Sequence, residues 1–301
     1  MASLYLQPAD YAGFGIAAAT ADQVQQASML INGHLKRPEG LIWGADANGA
    51  PAYMAGLNAA LALSAAAAFA PGSNVQVSLS GPSLGRDAVG EVVTVDRANA
   101  GACETCVIAS VAPGGLTLQG VSFAHASGAT LELGMAILEE RAMPKDRSVT
   151  RLARWPVVRL LSGLGRYGYG RRDAQTAGEL AEYNLLAVVS SFGGPPLWIP
   201  FDVSQADVSV ATSEVWVPAG ALLAYFSEVR LRYLAGWSAA QLPQDIKQAC
   251  ANIVRAILDQ GMAANIESYS AGDTRVKLFS DTLLDADTKA MLAPYRARLF
   301  L

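Results

Sequence analysis

Amphipathic helical patterns stand at the two ends of this chain, and nearly everything between them has the pattern of strands. Residues 20–36 form the first helical pattern and residues 243–262 the second, and a segment at 285–298 closes the chain. A helix with one apolar stripe must bury that stripe against another element. We therefore expect helices from opposite ends of the chain to pack together, with the β-rich middle as a large excursion from a small helical core.

Local signals indicate where each predicted helix begins. Thr20 and Gln23 have the spacing of a capping box, in which two side chains and two backbone amides exchange hydrogen bonds. Pro243 suits the first turn of the second helix, where no amide hydrogen is needed. Asp285 is placed to cap a last short helix that ends near Leu292.

Short strand patterns separated by turns fill the middle of the chain. Between residues 72 and 144 they recur about every 8–12 residues, which is typical of a small barrel or sandwich. One of these strand patterns covers residues 130–139. The clearest strand of a second β-region is 225–233, where Val229, Leu231 and Tyr233 alternate with charged residues. We expect its charged side to be exposed to solvent or to form salt bridges with a neighbouring subunit.

These patterns together predict an α+β chain with four segments. Its small helical core comes from the N- and C-terminal segments, and large β-rich insertions, including a small β-barrel or sandwich, lie between them. The segments are an N-terminal helical segment at 1–42, an inserted β-domain at 43–145, a second β-region at 146–236, and a C-terminal helical segment with a docking tail at 237–301.

The composition is apolar for a soluble monomer, since 52% of residues are hydrophobic and 16% are charged. Either part of the surface is buried against copies of the chain or other partners, or the sequence is simply rich in alanine. The net charge of −4 provides no overall basic field for nucleic acid. No signal peptide or bilayer-spanning pattern is visible, which indicates a soluble protein of the cytoplasm.

Few residues have the spacing of a metal or catalytic site. Cys103 and Cys106 form a CxxC motif, but a zinc site needs about four ligands, and the only histidines are His34 and His125. A thioredoxin-like pair would begin a helix, whereas this one leads into a strand pattern. We expect structural cysteines, with a metal or redox role as the alternative, and a structural His125. No catalytic residue, cofactor or metal is predicted.

Residues 163–168 have the form GxGxxG after a predicted strand. In a dinucleotide-binding fold such glycines let the backbone approach a pyrophosphate at the start of a helix. No amphipathic helix follows here, so the motif favours a glycine-rich turn or loop. Because tyrosine and arginine are enriched in interfaces, we predict a subunit or partner contact loop. Its residues are Arg166, Tyr167, Tyr169, Arg171 and Arg172.

The C-terminal residues are basic and then apolar. A free apolar terminus is costly unless it docks into a partner. We predict a docking tail that consists of Tyr295, Arg296, Arg298, Leu299, Phe300 and Leu301.

Four stretches of the sequence resemble the phage head-to-tail connector proteins, also called adaptors or neck proteins, which form a ring under the portal. The last stretch runs from YSAGD to LLAPYRARLFL, within 269–301. The other three are ADQVQQASMLINGHLKRPEGL at 21–41, RLARWPVVRLLSGLGRYGYGRRD at 151–173, and VRLRYLAGWSAAQLPQDIKQACANIV at 229–254.

The resemblance implies a structural virion protein and no enzymatic activity. Such a protein assembles in the host cytoplasm into a ring of about twelve copies, a dodecamer, in which one heterologous interface is used repeatedly. The ring binds the portal, into which the C-terminal tail inserts, and it receives the tail or a further neck protein. DNA passes through its channel without sequence-specific binding, and no membrane is involved.

Two other functions stay open at this level. One is another β-rich structural protein or a carbohydrate-binding module, with Trp155, Trp198, Trp216 and Trp237 as stacking platforms, although such tryptophans are more often core anchors. The other is a nucleotide-binding enzyme that uses the glycines of residues 163–168.

Overall fold

A computed structural model describes residues 4–54, 63–133, 136–144, 148–167, 197–219, 226–263, 268–271, 274–277 and 283–297. Within them the chain is mainly β, with three α-helices and a closed six-stranded β-barrel, as the α+β prediction requires. The chain divides into two compact units. The first combines residues up to Ile42 with residues from Trp237 to Ala297, and the second contains residues between Trp43 and Gly236.

The helices of the first unit begin where the sequence predicts. They are α1 at Ala21–Leu35, α2 at Gln244–Ala263 and α3 at Ala286–Leu292. The capping box of α1 is formed, because Gln23 N donates to Thr20 Oγ1 at 3.3 Å and Thr20 N donates to Gln23 Oε1 at 2.9 Å. At the start of α3, Thr288 N donates to Asp285 Oδ1 at 2.7 Å. These bonds satisfy amides that have no partner inside the helix.

Side chains from both ends of the chain meet in one apolar cluster in the first unit. Among its members are Leu6, Ile31, Leu35, Ile246, Ile253 and Leu292. Tyr5 is also buried there: its amide donates to Ser28 Oγ at 3.2 Å, and its hydroxyl accepts from Leu41 N at 3.0 Å and donates to Asn32. Burial raises the pKa of Tyr5. This polar group is stable in the cluster because its hydrogen bonds are made.

The second unit begins with a hairpin and then forms the predicted barrel. Its strands are antiparallel, and apolar residues such as Val93, Ile108 and Leu118 point inward, which gives the period of two expected for a half-buried strand. The hairpin is β1 (Trp43–Ala45) and β2 (Pro51–Met54), and the barrel strands are β3 (Leu63–Ala65), β4 (Gly72–Ser80), β5 (Val92–Val95), β6 (Glu104–Ala112), β7 (Gly115–Val121) and β8 (Thr130–Leu133). They close in the order β3-β4-β7-β6-β5-β8.

The strand predicted at 130–139 is two strands that belong to different sheets. β8 closes the barrel, whereas β9 (Ile137–Ala142) pairs with a strand nearly a hundred residues later. Both segments have the same apolar alternation, and that pattern does not specify which neighbour a strand takes. The prediction of a single strand is therefore wrong.

The rest of the second unit contains a four-stranded and a three-stranded antiparallel sheet. Their strands after β9 are β10 (Val149–Arg151), β11 (Val157–Arg166), β12 (Ile199–Phe201), β13 (Asp207–Val208), β14 (Glu214–Trp216) and β15 (Glu228–Ala235). The four-stranded sheet has the order β12-β11-β15-β9 and the three-stranded sheet the order β10-β14-β13. In the first unit, β16 (Ser268–Ala271) and β17 (Thr274–Lys277) form a separate hairpin. None of the described helices has the length and apolar character to cross a bilayer.

Candidate functional site

The four-stranded sheet has one apolar and one charged face at β15. Val229, Leu231 and Tyr233 are fully buried, as their alternation predicts. On the other face, Arg230 Nε donates to Glu140 Oε1 of β9 at 2.7 Å. This pair joins residues directly opposite each other on neighbouring strands, where opposite charges stabilise the pairing.

Arg232 also lies on the charged face of β15, but it is only 4% exposed. Its Nε donates to Glu91 Oε2 at 3.0 Å and its Nη1 donates to the Gly90 carbonyl at 2.9 Å. Burial lowers the pKa of Arg232 to about 10. The prediction of solvent exposure or of a bridge to a neighbouring subunit is wrong for this residue, because the partner is the β5 end of the barrel in the same chain.

A tryptophan completes a mixed aromatic and charged group on the same sheet. The guanidinium carbons of Arg166 and Arg230 each lie 4.5 Å from the centre of the Trp198 ring, a cation–π distance. Arg166 also pairs with Glu228 on the adjacent strand. We call the five residues Arg166, Trp198, Glu228, Arg230 and Glu140 the Trp198 cluster. Their side chains are partly exposed, up to 51% for Glu140, so the group is held in place and remains accessible.

Gly163 and Gly165 of the GxGxxG motif lie within β11, on the opposite face from the Trp198 cluster. A Cβ atom at Gly163 would lie closer than 3.0 Å to the Phe201 ring, and one at Gly165 would meet the Phe226 ring at similar range. The prediction of a loop is wrong for residues 163–166, because β11 continues through both glycines to Arg166. They serve as sites of close aromatic packing.

The predicted contact loop is only partly described by the structure. Arg166 is the last residue of β11 and belongs to the Trp198 cluster. Tyr167 is 2% exposed and stacks on Phe226 with ring centres 5.2 Å apart, so its side chain packs inside this chain and does not form part of an exposed contact surface. Tyr169, Arg171 and Arg172 lie outside the described residues.

A buried histidine and glutamate hold two segments of the barrel together. His125 is 3% exposed, and its Nε2 lies 2.8 Å from Glu104 Oε1. Glu104 also accepts hydrogen bonds from Ser122 N at 2.7 Å and Phe123 N at 3.1 Å. The His125 ring packs 4.8 Å from Phe69. These contacts support the structural role that the sequence predicts for His125.

The three cysteines are free and buried. Burial raises the pKa of Cys103 to about 11, and those of Cys106 and Cys250 to about 12. A thiol with a raised pKa stays protonated at neutral pH and is a poor nucleophile and metal ligand, which favours the structural interpretation. Among the residues that the structure describes, no three His, Cys, Asp or Glu side chains are placed to hold a metal ion.

The first residues of the predicted docking tail pack within their own unit. The Tyr295 ring meets Trp237 edge-on with centres 5.7 Å apart, and its hydroxyl donates to Asp245 Oδ2 at 3.2 Å. Ala297 is buried, and its amide donates to the Leu35 carbonyl at the end of α1 at 3.1 Å. Tyr295 is therefore an anchor for the tail.

Of the remaining residues of the predicted docking tail, the structure describes only Arg296. Arg296 is exposed. Arg298, Leu299, Phe300 and Leu301 lie outside the described residues. Docking thus stays a prediction for Arg296 and for residues 298–301.

Comparison with known proteins adds no family assignment. No protein-family model matches the chain, and no curated protein matches it. Support for a function therefore comes from the residues of the candidate site and from the resemblance in sequence.

Proposed function

We propose that this chain is a structural subunit of a phage head-to-tail connector. The ring would join the capsid portal to the tail or neck of the virion and would extend the DNA channel. One observation carries the proposal beyond the sequence resemblance. The Trp198 cluster presents tryptophan, arginine and glutamate side chains, partly exposed, on a rigid sheet. Tryptophan and arginine are the residues most often found at the energetic centre of protein interfaces.

The proposal includes the predicted small helical core with β-rich insertions. The apolar cluster shared by Leu6, Ile31, Ile253 and Leu292 would be the small helical core, and the β-rich residues would be insertions into it. Sharing one cluster between the chain ends supports this arrangement, because each amphipathic helix then buries its stripe.

Buried charged groups of the described residues have structural partners, which supports an assembly role over a catalytic one. Glu139 accepts from the Tyr233 hydroxyl at 2.6 Å and from Ala153 N at 3.0 Å. Burial, and then the nearby Glu139 carboxylate, raises the pKa of Tyr233. Groups engaged in this way stabilise the sheet, and a catalytic acid or base must instead reach a substrate.

The partners follow from the same proposal. They are further copies of this chain in a ring of about twelve, the portal protein, and a tail or neck protein. DNA would pass without sequence-specific contacts, and a net charge of −4 suits such a channel because tight phosphate binding would slow passage.

Removal of residues 298–301 tests the portal contact. The truncated chain should lose co-sedimentation with the portal protein of the same virus, while its thermal unfolding stays unchanged, because Ala297 still bonds to Leu35. A variant in which Ser-Gly-Ser-Gly replaces these four residues is the control for length and should also fail to bind. Unchanged binding by both variants would contradict the tail contact, and a full-length chain that never binds portal would contradict the proposed function.

A further inference from the structure

We infer that Arg296, at the base of the docking tail, binds a carboxylate on the surface of the portal protein. Lys289 of α3 and His34 of α1 lie near Arg296, and we call these three residues the basic corner. The inference rests on the proposed function, because it names the chemistry of the portal surface that the tail meets.

The two residues that flank Arg296 fix its backbone. The Tyr295 hydroxyl donates to Asp245 Oδ2 at 3.2 Å. The amide of the buried Ala297 donates to the Leu35 carbonyl at 3.1 Å. Arg296 lies between these contacts with an extended backbone, and it is exposed to solvent. Its position on the surface is therefore set before a partner arrives, which lowers the entropy lost on binding.

Cations gather at this corner of the first unit. The bond between Ala297 and Leu35 brings Arg296 to the end of α1, and His34 lies in the last turn of that helix. Burial, and then the nearby charges of Arg296 and Lys289, lower the pKa of His34, so its ring is neutral at pH 7. The basic corner therefore consists of the two cations and a neutral imidazole.

The charges of the basic corner are not neutralised within the described part of the chain. No described carboxylate lies within ion-pair distance of Arg296 or Lys289, and both side chains are at least partly exposed. Asp285 lies one turn before Lys289, but its carboxylate accepts from Thr288 N at 2.7 Å and caps α3. The two cations are therefore available to a partner, and charge complementarity requires that this partner be acidic.

A protein carboxylate suits the basic corner better than a DNA phosphate does. Arginine forms two parallel hydrogen bonds with a carboxylate and is frequent at the centres of protein interfaces. DNA binding depends on many phosphate contacts, whereas the basic corner offers one pair of cations on a chain with a net charge of −4. Phe300 follows four residues after Arg296, and aromatic residues near arginine are also typical of protein interfaces.

Charge reversal tests the inference, with co-sedimentation on the portal protein of the same virus as the assay. Arg296→Glu and Lys289→Glu should each weaken binding by about tenfold or more, because like charges then face each other. Arg296→Lys should weaken it less, because the charge stays and only the two-bond geometry is lost. Arg255→Glu, the same change at an exposed arginine of α2, is the matched control and should bind like the unmodified chain. Thermal unfolding checks that each variant is folded.

The outcomes separate the carboxylate contact from the proposed function. If the unmodified chain binds portal and both glutamate variants bind equally well, the inference is overturned and the connector proposal stands. Loss of binding to a labelled DNA duplex in Arg296→Glu, with portal binding unchanged, would show a phosphate partner and would also overturn the inference. An unmodified chain that never binds portal would contradict the proposed function together with the contact that rests on it.

Discussion

Substitution of Gly165 tests the role assigned to the GxGxxG glycines. The added Cβ would lie well within 3.0 Å of three Phe226 ring atoms, whereas carbon atoms in contact lie about 3.5–4.0 Å apart, so the ring must move by more than about 1 Å. Phe226 is 4% exposed and stacks on Tyr167 and Phe201, at 5.2 and 5.7 Å. It has little space in which to move, so Gly165→Ala overpacks the site.

The loss of stability should be larger for Gly165→Ala than for Gly163→Ala. Overpacking costs about 1–3 kcal/mol, and alanine recovers about 0.5–1 kcal/mol of backbone entropy over glycine in a strand. We expect Gly165→Ala to lower the free energy of unfolding by about 1–2 kcal/mol. Gly163→Ala should cost less than about 1 kcal/mol, because its nearest atom is the far end of the half-buried Phe201 ring, which can swing outward.

Urea unfolding followed by tryptophan fluorescence measures these differences. Gly33→Ala is the matched control, because nothing lies within 4 Å of its added Cβ on α1, and it should stabilise by about 0.5–1 kcal/mol. Phe226→Leu should relieve at least about 1 kcal/mol of the Gly165→Ala loss in a double-mutant cycle. A Gly165→Ala chain as stable as the unmodified one would refute the packing argument, and the nucleotide-binding alternative would then predict that this variant loses a copurifying ligand.

Two further predictions concern charged groups. Glu91→Ala should lower the free energy of unfolding in urea by about 3 kcal/mol, because it leaves the buried Arg232 guanidinium without its charge partner. The control Glu214→Ala removes one partner of an exposed ion pair and should lower it by less than about 1 kcal/mol. Equal losses in the two variants would contradict this prediction. Hydrogen bonds from Thr288 lower the pKa of Asp285, so its stabilising effect is complete above the ordinary aspartate pKa of about 3.9 and is lost as the pH falls through the lowered value. Thermal melts from pH 2 to 5 should therefore show less acid destabilisation for Asp285→Asn, which keeps the cap, and an unchanged pH profile would be the contrary result.

The elements defined by local signals were the ones that the sequence predicted well. Thr20 with Gln23, and Asp285 with Thr288, form caps within four residues of each other, so their hydrogen bonds follow from spacing alone. The apolar stripe of α2 likewise predicts which side of the helix is buried.

The elements defined by distant partners were predicted poorly. Gly163 has the local character of a turn, and only its pairing with β12 reveals that it gives room to an aromatic ring. Trp198 and Arg230 are separated along the chain, and Glu140 lies on a third strand, so nothing local indicates the Trp198 cluster. The alternating charges of β15 were the one available signal, and they indicated a polar face without naming its partners.

The mass of the purified protein in solution tests the connector proposal most directly. Light scattering after size exclusion, with negative-stain images of the same peak, should show rings of about twelve subunits of 31.4 kDa, formed alone or on addition of portal protein. A 31.4 kDa monomer that stays a monomer with portal protein present would contradict the proposal.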